Sequence, residues 1–383
     1  MLEGVNVALG VTGSIAAVKV VELAHELRRR GAEVRGVMSE SAHGIVHPWA
    51  VEFATGRPVI TELTGAVEHV ELCAADGWAD VLVIAPATAN TIGKIASAVD
   101  DTPVTTCATT ALGAGVPVVV APAMHEPMYD HPGVLEAIDR VEGWGVSVVA
   151  PRIEEDKAKI ATEDAIALDV ARAATPDPLA GRSVVVSSGA TSEPIDPIRV
   201  LTNRASGRTG RAVARACYVR GAEVTLIHDG LEVPYATVER VETAAEMIEA
   251  ARDAAADADA LVSAAAIGDY TVEPWTEKIR SGRDLSLGLE PTPKLLDAVR
   301  EAHPDLTLVG FKAETESGDD SMTDAARSIQ ERVGLAFVVA NDADVMGDRE
   351  TRTLFVDGED VASFTGSKAE LGFAVADRLA ETL

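Results

Sequence analysis

Two periodicities organise the chain. Short runs that are apolar at every position alternate with longer stretches whose apolar residues return every three or four positions. Val5–Leu9 predicts a buried strand and Gly10–Ser14 a turn. Ile15–Arg30 predicts a helix with Val18, Val21, Leu23, Ala24 and Leu27 as its apolar residues. Gly31 closes that helix, and Glu33–Met38 is the next strand. Val81–Ala85, Val116–Ala121 and Val146–Ala150 predict further buried strands. Strands that are apolar on both faces and alternate with helices point to an α/β fold with a parallel, doubly wound sheet.

The pattern breaks at Thr175–Gly181, where two prolines and a glycine follow an alanine-rich helix. It then restarts. Ser183–Ser187 predicts a strand, Gly189–Ser206 a long loop, Gly210–Arg220 a helix closed by Gly221, and Glu223–Ile227 a strand. Ala260–Ala266, Leu306–Gly310 and Ala336–Ala340 continue a second sheet. Thr353–Val356 and Val361–Ser363 read as a late hairpin around Asp357-Gly358. Gly31-Ala32-Glu33-Val34 and Gly221-Ala222-Glu223-Val224 hold equivalent places in the two halves. The expectation is two doubly wound, Rossmann-like domains with mainly parallel sheets, residues 1–175 and 176–383.

Composition narrows the function. The 383 residues carry 61 acids against 33 bases, a net charge of −28. Such a field repels phosphate backbones, so nucleic acid is excluded as a partner. No apolar run approaches the ~20 residues of a membrane span, and the first residues lack a basic leader, so a cytoplasmic protein is expected. Residues 1–175 hold 24 acids and 12 bases, and the remainder 37 and 21. The acidity therefore belongs to the whole surface, as in a protein kept soluble in a salt-rich cytoplasm, and not to one docking face. Only eight of the bases are lysine, so each surviving lysine is a candidate for a specific task. Cys73, Cys107 and Cys217 form no CxxC, which fits reduced thiols without a structural zinc site.

Neither half contains G-x-x-x-x-G-K-[ST], which excludes P-loop chemistry, and neither has a G-x-G-x-x-G after its first strand. The first half has Gly13-Ser14-Ile15 where a strand enters a helix, a place for a phosphate. Ala85-Pro86-Ala87-Thr88-Ala89-Asn90 follows a central strand at its carboxyl end, the ligand edge of an open sheet. Gly10–Lys19, His69-Val70-Glu71-Leu72, Trp78-Ala79-Asp80, Ala85–Asn90 and Pro122-Ala123-Met124-His125-Glu126-Pro127-Met128-Tyr129 stand in the order of the flavin-dependent cysteine decarboxylases, which residues 1 to about 172 resemble. The resemblance implies FMN, with phosphate near Gly13 and Ser14, Ser39 beside the second strand, and Pro86, Ala87, Thr88 and Met124 along the flavin. It makes His69 the acid/base residue. Loss of CO₂ from a cysteine carboxylate needs an electron sink, and a flavin provides the redox chemistry for one. Two departures stand out. The family's substrate-carboxylate asparagine is here His125, and its reductive cysteine loop is replaced by Glu154–Ala161. Lys157 and Lys159 in that stretch are expected to contact a substrate phosphate or carboxylate. Both departures are similar to archaeal members of the family.

The second half carries Ser188–Arg199 and Leu201–Gly210, small residues before a helix N-terminus that suit an anion cradle. Then follow Ser263–Tyr270, Glu277–Gly282, Pro291–Lys294, Gly310–Thr315 and Val339–Asp342. This ordered set resembles phosphopantothenate–cysteine ligase over residues 181–383, and the fusion resembles the bifunctional family of coenzyme A biosynthesis. The resemblance implies 4′-phosphopantothenate, cysteine and CTP as substrates, an acyl-cytidylate intermediate, and Mg²⁺ with the triphosphate, with metal ligands unassigned. Fixed cations are needed because charge accumulates on phosphate. By resemblance Lys278 is that cation with Arg280 nearby, and Asn203 holds the acyl-cytidylate. Ser263, Ala264, Ala265, Asp269, Pro293, Lys294, Leu295, Leu296 and Phe311 would form the cytidine pocket, and Arg327 and Arg332 would replace two lysines of the family. A homo-oligomer is implied, with trimeric decarboxylase and dimeric ligase domains. Two other readings remain open: a tandem-Rossmann oxidoreductase, and a ligase whose flavin-binding half is regulatory and does not decarboxylate.

Overall fold

The apolar runs of the first half become one parallel sheet. The computed structural model describes residues 1–154, 157–282, 284–314, 318–342 and 350–383. The chain divides into two compact units, Met1–Pro176 and Asp177–Leu383. In the first, strands β1 (Asn6–Val11), β2 (Glu33–Met38), β3 (Val81–Ala87), β4 (Val118–Pro122) and β6 (Ser147–Val148) pair in the order β2-β1-β3-β4-β6. Every pairing in this sheet is parallel. All seven residues of β3 are buried, as a central strand covered on both faces requires. A small antiparallel sheet of β5 (Met124–His125), β7 (Arg152–Glu154) and β8 (Lys157–Lys159) sits in the order β5-β8-β7.

The second unit builds a larger sheet. Its strands are β9 (Ser183–Ser187), β12 (Glu223–His228), β13 (Thr237–Arg240), β14 (Ala260–Ser263), β17 (Thr307–Glu314), β18 (Phe337–Asp342), β19 (Glu350–Asp357) and β20 (Asp360–Ser367). Their order is β13-β12-β9-β14-β17-β18-β19-β20. The first five pairings are parallel and the last two antiparallel, so the late hairpin extends a doubly wound sheet. Two small ribbons, β10 (Ser192–Pro194) with β11 (Val200–Thr202) and β15 (Tyr270–Thr271) with β16 (Glu290–Pro291), stand apart from it.

Three local expectations change. The segment from Ile15 opens as a 3₁₀ turn, Ile15–Lys19, before the α-helix Val20–Arg29. Ser14 dictates this by accepting from the Ala16 N–H, while the Ala17 N–H donates to the Ser14 carbonyl at 2.8 Å. Ile15 and Val18 are consequently exposed, and the buried stripe is Val20, Leu23, Ala24 and Leu27. The strand expected at Val146–Ala150 shrinks to an edge pair of residues. The long loop Gly189–Ser206 contains the ribbon β10–β11, which has too few alternating apolar residues to announce itself.

Close backbone approach explains one glycine of the second unit. The helices Arg208–Val219 and Lys368–Thr382 pack together at Gly372, where an added Cβ would lie 2.4 Å from the Ala212 carbonyl oxygen. Nothing flexible stands there to yield. Gly372→Ala should destabilise this unit by about 1–3 kcal/mol, the usual cost of overpacking. Thermal unfolding of the variant should show a melting temperature lower by several degrees.

Candidate functional sites

The strand order of the first unit fixes where a ligand goes. β1 has β2 on one side and β3 on the other, so a crevice opens beyond the carboxyl ends of β1 and β3. Gly13 and Ser14 follow β1, Ser39 follows β2, and Pro86, Ala87 and Thr88 close β3. All six sequence-derived positions therefore lie at one sheet edge. The edge is rich in hydroxyls. The Ser14 hydroxyl donates to the Ala123 carbonyl at 3.1 Å, and Ser39 and Ser41 hydroxyls meet at 3.1 Å. Thr88 caps the helix Ala89–Ala96 by accepting from the Thr91 N–H at 3.1 Å. Gly13 is a glycine because a Cβ there would stand 2.5 Å from the Ser41 hydroxyl. Neutral donors crowded onto a parallel-sheet edge suit a phosphate and a polyhydroxyl chain.

Met124 and His125 come next in line, on β5. His125 is exposed, and its ring makes no capping bond to the helix it precedes. In the register of β5 against β8, His125 faces position 157 and Met124 faces Ala158. The stretch Glu154–Ala161, through β8, is thus the neighbour of His125. Glu155 and Asp156 of that stretch lie outside the described residues. Tyr129 is half-buried beside it, and burial, then Glu142 and Asp130, raise its hydroxyl above the usual range. His69 sits on the short helix Glu68–Cys73 and is half-buried, with a buried Nδ1 that has no hydrogen-bond partner among the described residues. Cys73 and Cys107, distant in sequence, meet in the core; the bond to Cys73, then burial, raises the Cys107 thiol.

In the second unit the order reverses between β9 and β14, and the crevice follows that point. A cavity of about 560 Å³ opens there. It brings together Asn203, Ala264, Ala265, Asp269 and Phe311 of the sequence-derived set, with Gly189 and the stretch Arg204–Gly210. Asn203 Nδ2 donates to the Ala266 carbonyl at 3.1 Å, tying the loop across the crevice. Gly207 takes φ +66° and Gly210 packs against β9, where a Cβ would lie 2.6 Å from Ser188 Cβ. This is close strand–helix packing of the kind a phosphate loop needs.

The other expected residues lie outside that lining. Ser263 is buried at the end of β14. Leu295 and Leu296 point into the hydrophobic core, and Pro293 precedes them on the exposed turn. Lys294 pairs with Asp269. Arg327 donates to the Gly358 and Glu359 carbonyls at the β19–β20 turn, and Arg332 pairs with Asp297 at 2.5 Å. Each arginine thus has another partner in this conformation, and both are too exposed for those pairs to hold them firmly. Lys278 and Arg280 are exposed on the separate stretch Glu277–Gly282.

That stretch is pinned by a residue that sequence reading passed over. Asp196 is buried and accepts from the N–H groups of Ile198 and Arg199 at 2.9 Å and of Ile279 at 3.0 Å. Arg199 adds a bond to the Ile279 carbonyl at 2.5 Å. Burial alone would raise the Asp196 carboxyl, but the three N–H donors and Arg199 outweigh it, so its pKa falls below the ordinary value. The carboxylate is therefore bound more tightly in the folded chain than in the unfolded one. Its stabilising effect is present above the unfolded value of about 4 and lost as pH falls through the lowered one. The melting-temperature gap between wild type and Asp196→Asn should be full near pH 6 and close progressively below about pH 4. A gap that is constant across this range would contradict the assignment. Among the described residues no cluster of His, Cys, Asp and Glu forms a metal site, and no helix is long and apolar enough to cross a membrane.

Both units are nucleotide-type α/β domains with a ligand crevice at a topological switch point, one hydroxyl-lined and one flanked by cations. Residues 1–174 match the family described as Flavoprotein, and residues 179–383 match the DNA/pantothenate metabolism flavoprotein C-terminal domain. A coenzyme A biosynthesis bifunctional protein from Thermococcus kodakarensis is 49% identical over 94% of this chain and 91% of its own. Its counterpart from Methanocaldococcus jannaschii is 34% identical over 99% of this chain and 94% of its own. A solved FMN-dependent cysteine decarboxylase, SpaF, is 33% identical, with a TM-score of 0.41 over 46% of this chain and 100% of its own. The chain belongs to the bifunctional family of coenzyme A biosynthesis.

Proposed function

We propose that the second unit joins 4′-phosphopantothenate to cysteine with CTP and Mg²⁺, and that the first decarboxylates the product to 4′-phosphopantetheine with FMN. The observation that carries this reading is the pairing of two switch-point crevices in one chain, matched by two families whose relatives join them in the same order. In the first crevice Gly13, Ser14 and Ser39 would hold the FMN phosphate, and Pro86, Ala87, Thr88 and Met124 would flank the flavin. FMN would supply the redox chemistry that makes loss of CO₂ accessible. His69 would move a proton at the reacting carbon or sulfur. His125, in the place of the family's asparagine, would hold the substrate carboxylate, with Lys157 and Lys159 beside it on β8.

In the second crevice Asn203, hung between two loops, would orient the activated acyl group. Ala264, Ala265, Asp269 and Phe311 would shape the nucleotide end. Lys278, with Arg280, would offset charge on the transferring phosphate. The protein is read as a cytoplasmic homo-oligomer. The deciding experiment is release of CO₂ from phosphopantothenoylcysteine by the purified, yellow protein. CTP-dependent formation of that compound from its parts tests the other half. A flavoprotein that ligates but releases no CO₂ would leave the first unit a regulatory one.

A further inference from the structure

The cavity of the second unit has a wall that no sequence motif announced. It is made by β19 and the first turn of the helix Lys368–Thr382, which contribute Thr351, Thr353 and Lys368 to the lining. Thr353 is 1% exposed, and its hydroxyl has no hydrogen-bond partner among the described residues. A buried hydroxyl left unpaired is costly, and burying it beside a cavity makes sense when a ligand completes it. Thr353 stands directly opposite Asn341 in the β18–β19 register, and Asn341 lines the same cavity.

Lys368 is the second, independent sign. It occupies the first position of its helix, after the cap Ser367, where the helix dipole is positive and a cation is unfavourable. It is half-buried, and it makes no ion pair among the described residues. In a chain with 61 acids and eight lysines, Lys19 and Lys94 do have carboxylate partners. The acid of the cavity wall, Asp269, is already engaged by Lys294. An unpaired ammonium, a positive helix end and an orphan hydroxyl converge on one wall, and each favours an anion with several acceptor oxygens.

We propose that Lys368 and Thr353 form a phosphoryl subsite of the ligase cavity. Lys368 supplies charge and Thr353 donates its hydroxyl to a phosphate oxygen. Two ligands of the ligase reading carry such a group: the nucleotide, through the phosphates beyond its α-phosphorus, and the pantothenate compound, through its 4′-phosphate. The proposal rests on that reading of the cavity, and the test separates the two.

The full-length protein is titrated calorimetrically with CTP, CMP, 4′-phosphopantothenate and pantothenate. Lys368→Gln should weaken one member of a phosphorylated pair on the order of tenfold or more and leave its stripped partner unchanged. Loss for CTP but not CMP assigns the subsite to the nucleotide; loss for 4′-phosphopantothenate but not pantothenate assigns it to the acyl substrate. Lys368→Arg should restore most of the affinity. Thr353→Val keeps shape and removes the orphan hydroxyl, so it should weaken the same ligand and raise the melting temperature. Equal affinities in wild type and Lys368→Gln would overturn the subsite, as would losses that ignore the phosphate. Wild-type protein that binds none of the four would overturn the ligase reading itself, and the subsite with it.

Discussion

Lys278→Gln is expected to lose acyl-nucleotide formation by a factor on the order of 10²–10³, the usual cost of removing one preorganised group that stabilises developing charge. Lys278 is exposed and makes no ion pair among the described residues, so its ammonium is not consumed by the fold. Its backbone is the opposite case. The next residue, Ile279, is buried and held by Asp196 through its N–H and by Arg199 through its carbonyl. The loop that holds it runs on through β11 to Asn203, which itself bonds across the crevice to Ala266. Asp196 thus anchors both the stretch that carries Lys278 and the loop that leads into Asn203, although Lys278 does not line the cavity. Glutamine keeps most of the length and loses the charge. Pyrophosphate release should collapse while the flavin spectrum of the first unit stays as in wild type. A variant that ligates normally would remove Lys278 from the mechanism.

Much of this was legible in the residues because the informative features are local. A strand buried on both faces must be apolar throughout, so β1, β3, β9 and β14 declare themselves, and Gly31 and Gly221 mark helix ends with φ near +100°. The residues at strand ends follow from the strands, which is why Gly13, Ser14, Pro86, Ala87 and Thr88 fall at one edge. What stayed hidden depends on long-range pairing. Asp196 reads as one more turn residue until the fold brings Ile279 to it, 83 positions on. Thr351 and Thr353 belong to a hairpin whose polar residues mean nothing until β19 pairs with β18 beside the crevice. Lys368 did carry a signal, its rarity, but stood outside every recognisable motif. Leu295 and Leu296 show the converse: they sit in a motif segment, yet their side chains serve the core.

His69→Asn should reduce CO₂ release by about 10²–10⁴, the range for loss of a positioned acid or base. The site around it has two features that packing alone does not explain. Its Nδ1 is buried without a partner among the described residues, a state that costs stability unless a ligand or substrate completes it. Two residues earlier Val67 adopts φ +54°, a left-handed conformation that a β-branched side chain resists, and so the helix bearing His69 starts from strained backbone. Both costs are expected at a place shaped for chemistry. Asparagine keeps a hydrogen-bonding group of similar reach and cannot shuttle a proton near neutral pH. The variant should bind flavin with unchanged absorbance, ligate at the wild-type rate, and melt close to the parent, since the amide leaves a polar atom where the ring nitrogen was. Accumulation of phosphopantothenoylcysteine, followed by mass spectrometry, is the readout. If His69→Asn lowers the melting temperature and ligation along with CO₂ release, His69 supports the fold; if CO₂ release alone falls, it moves the proton.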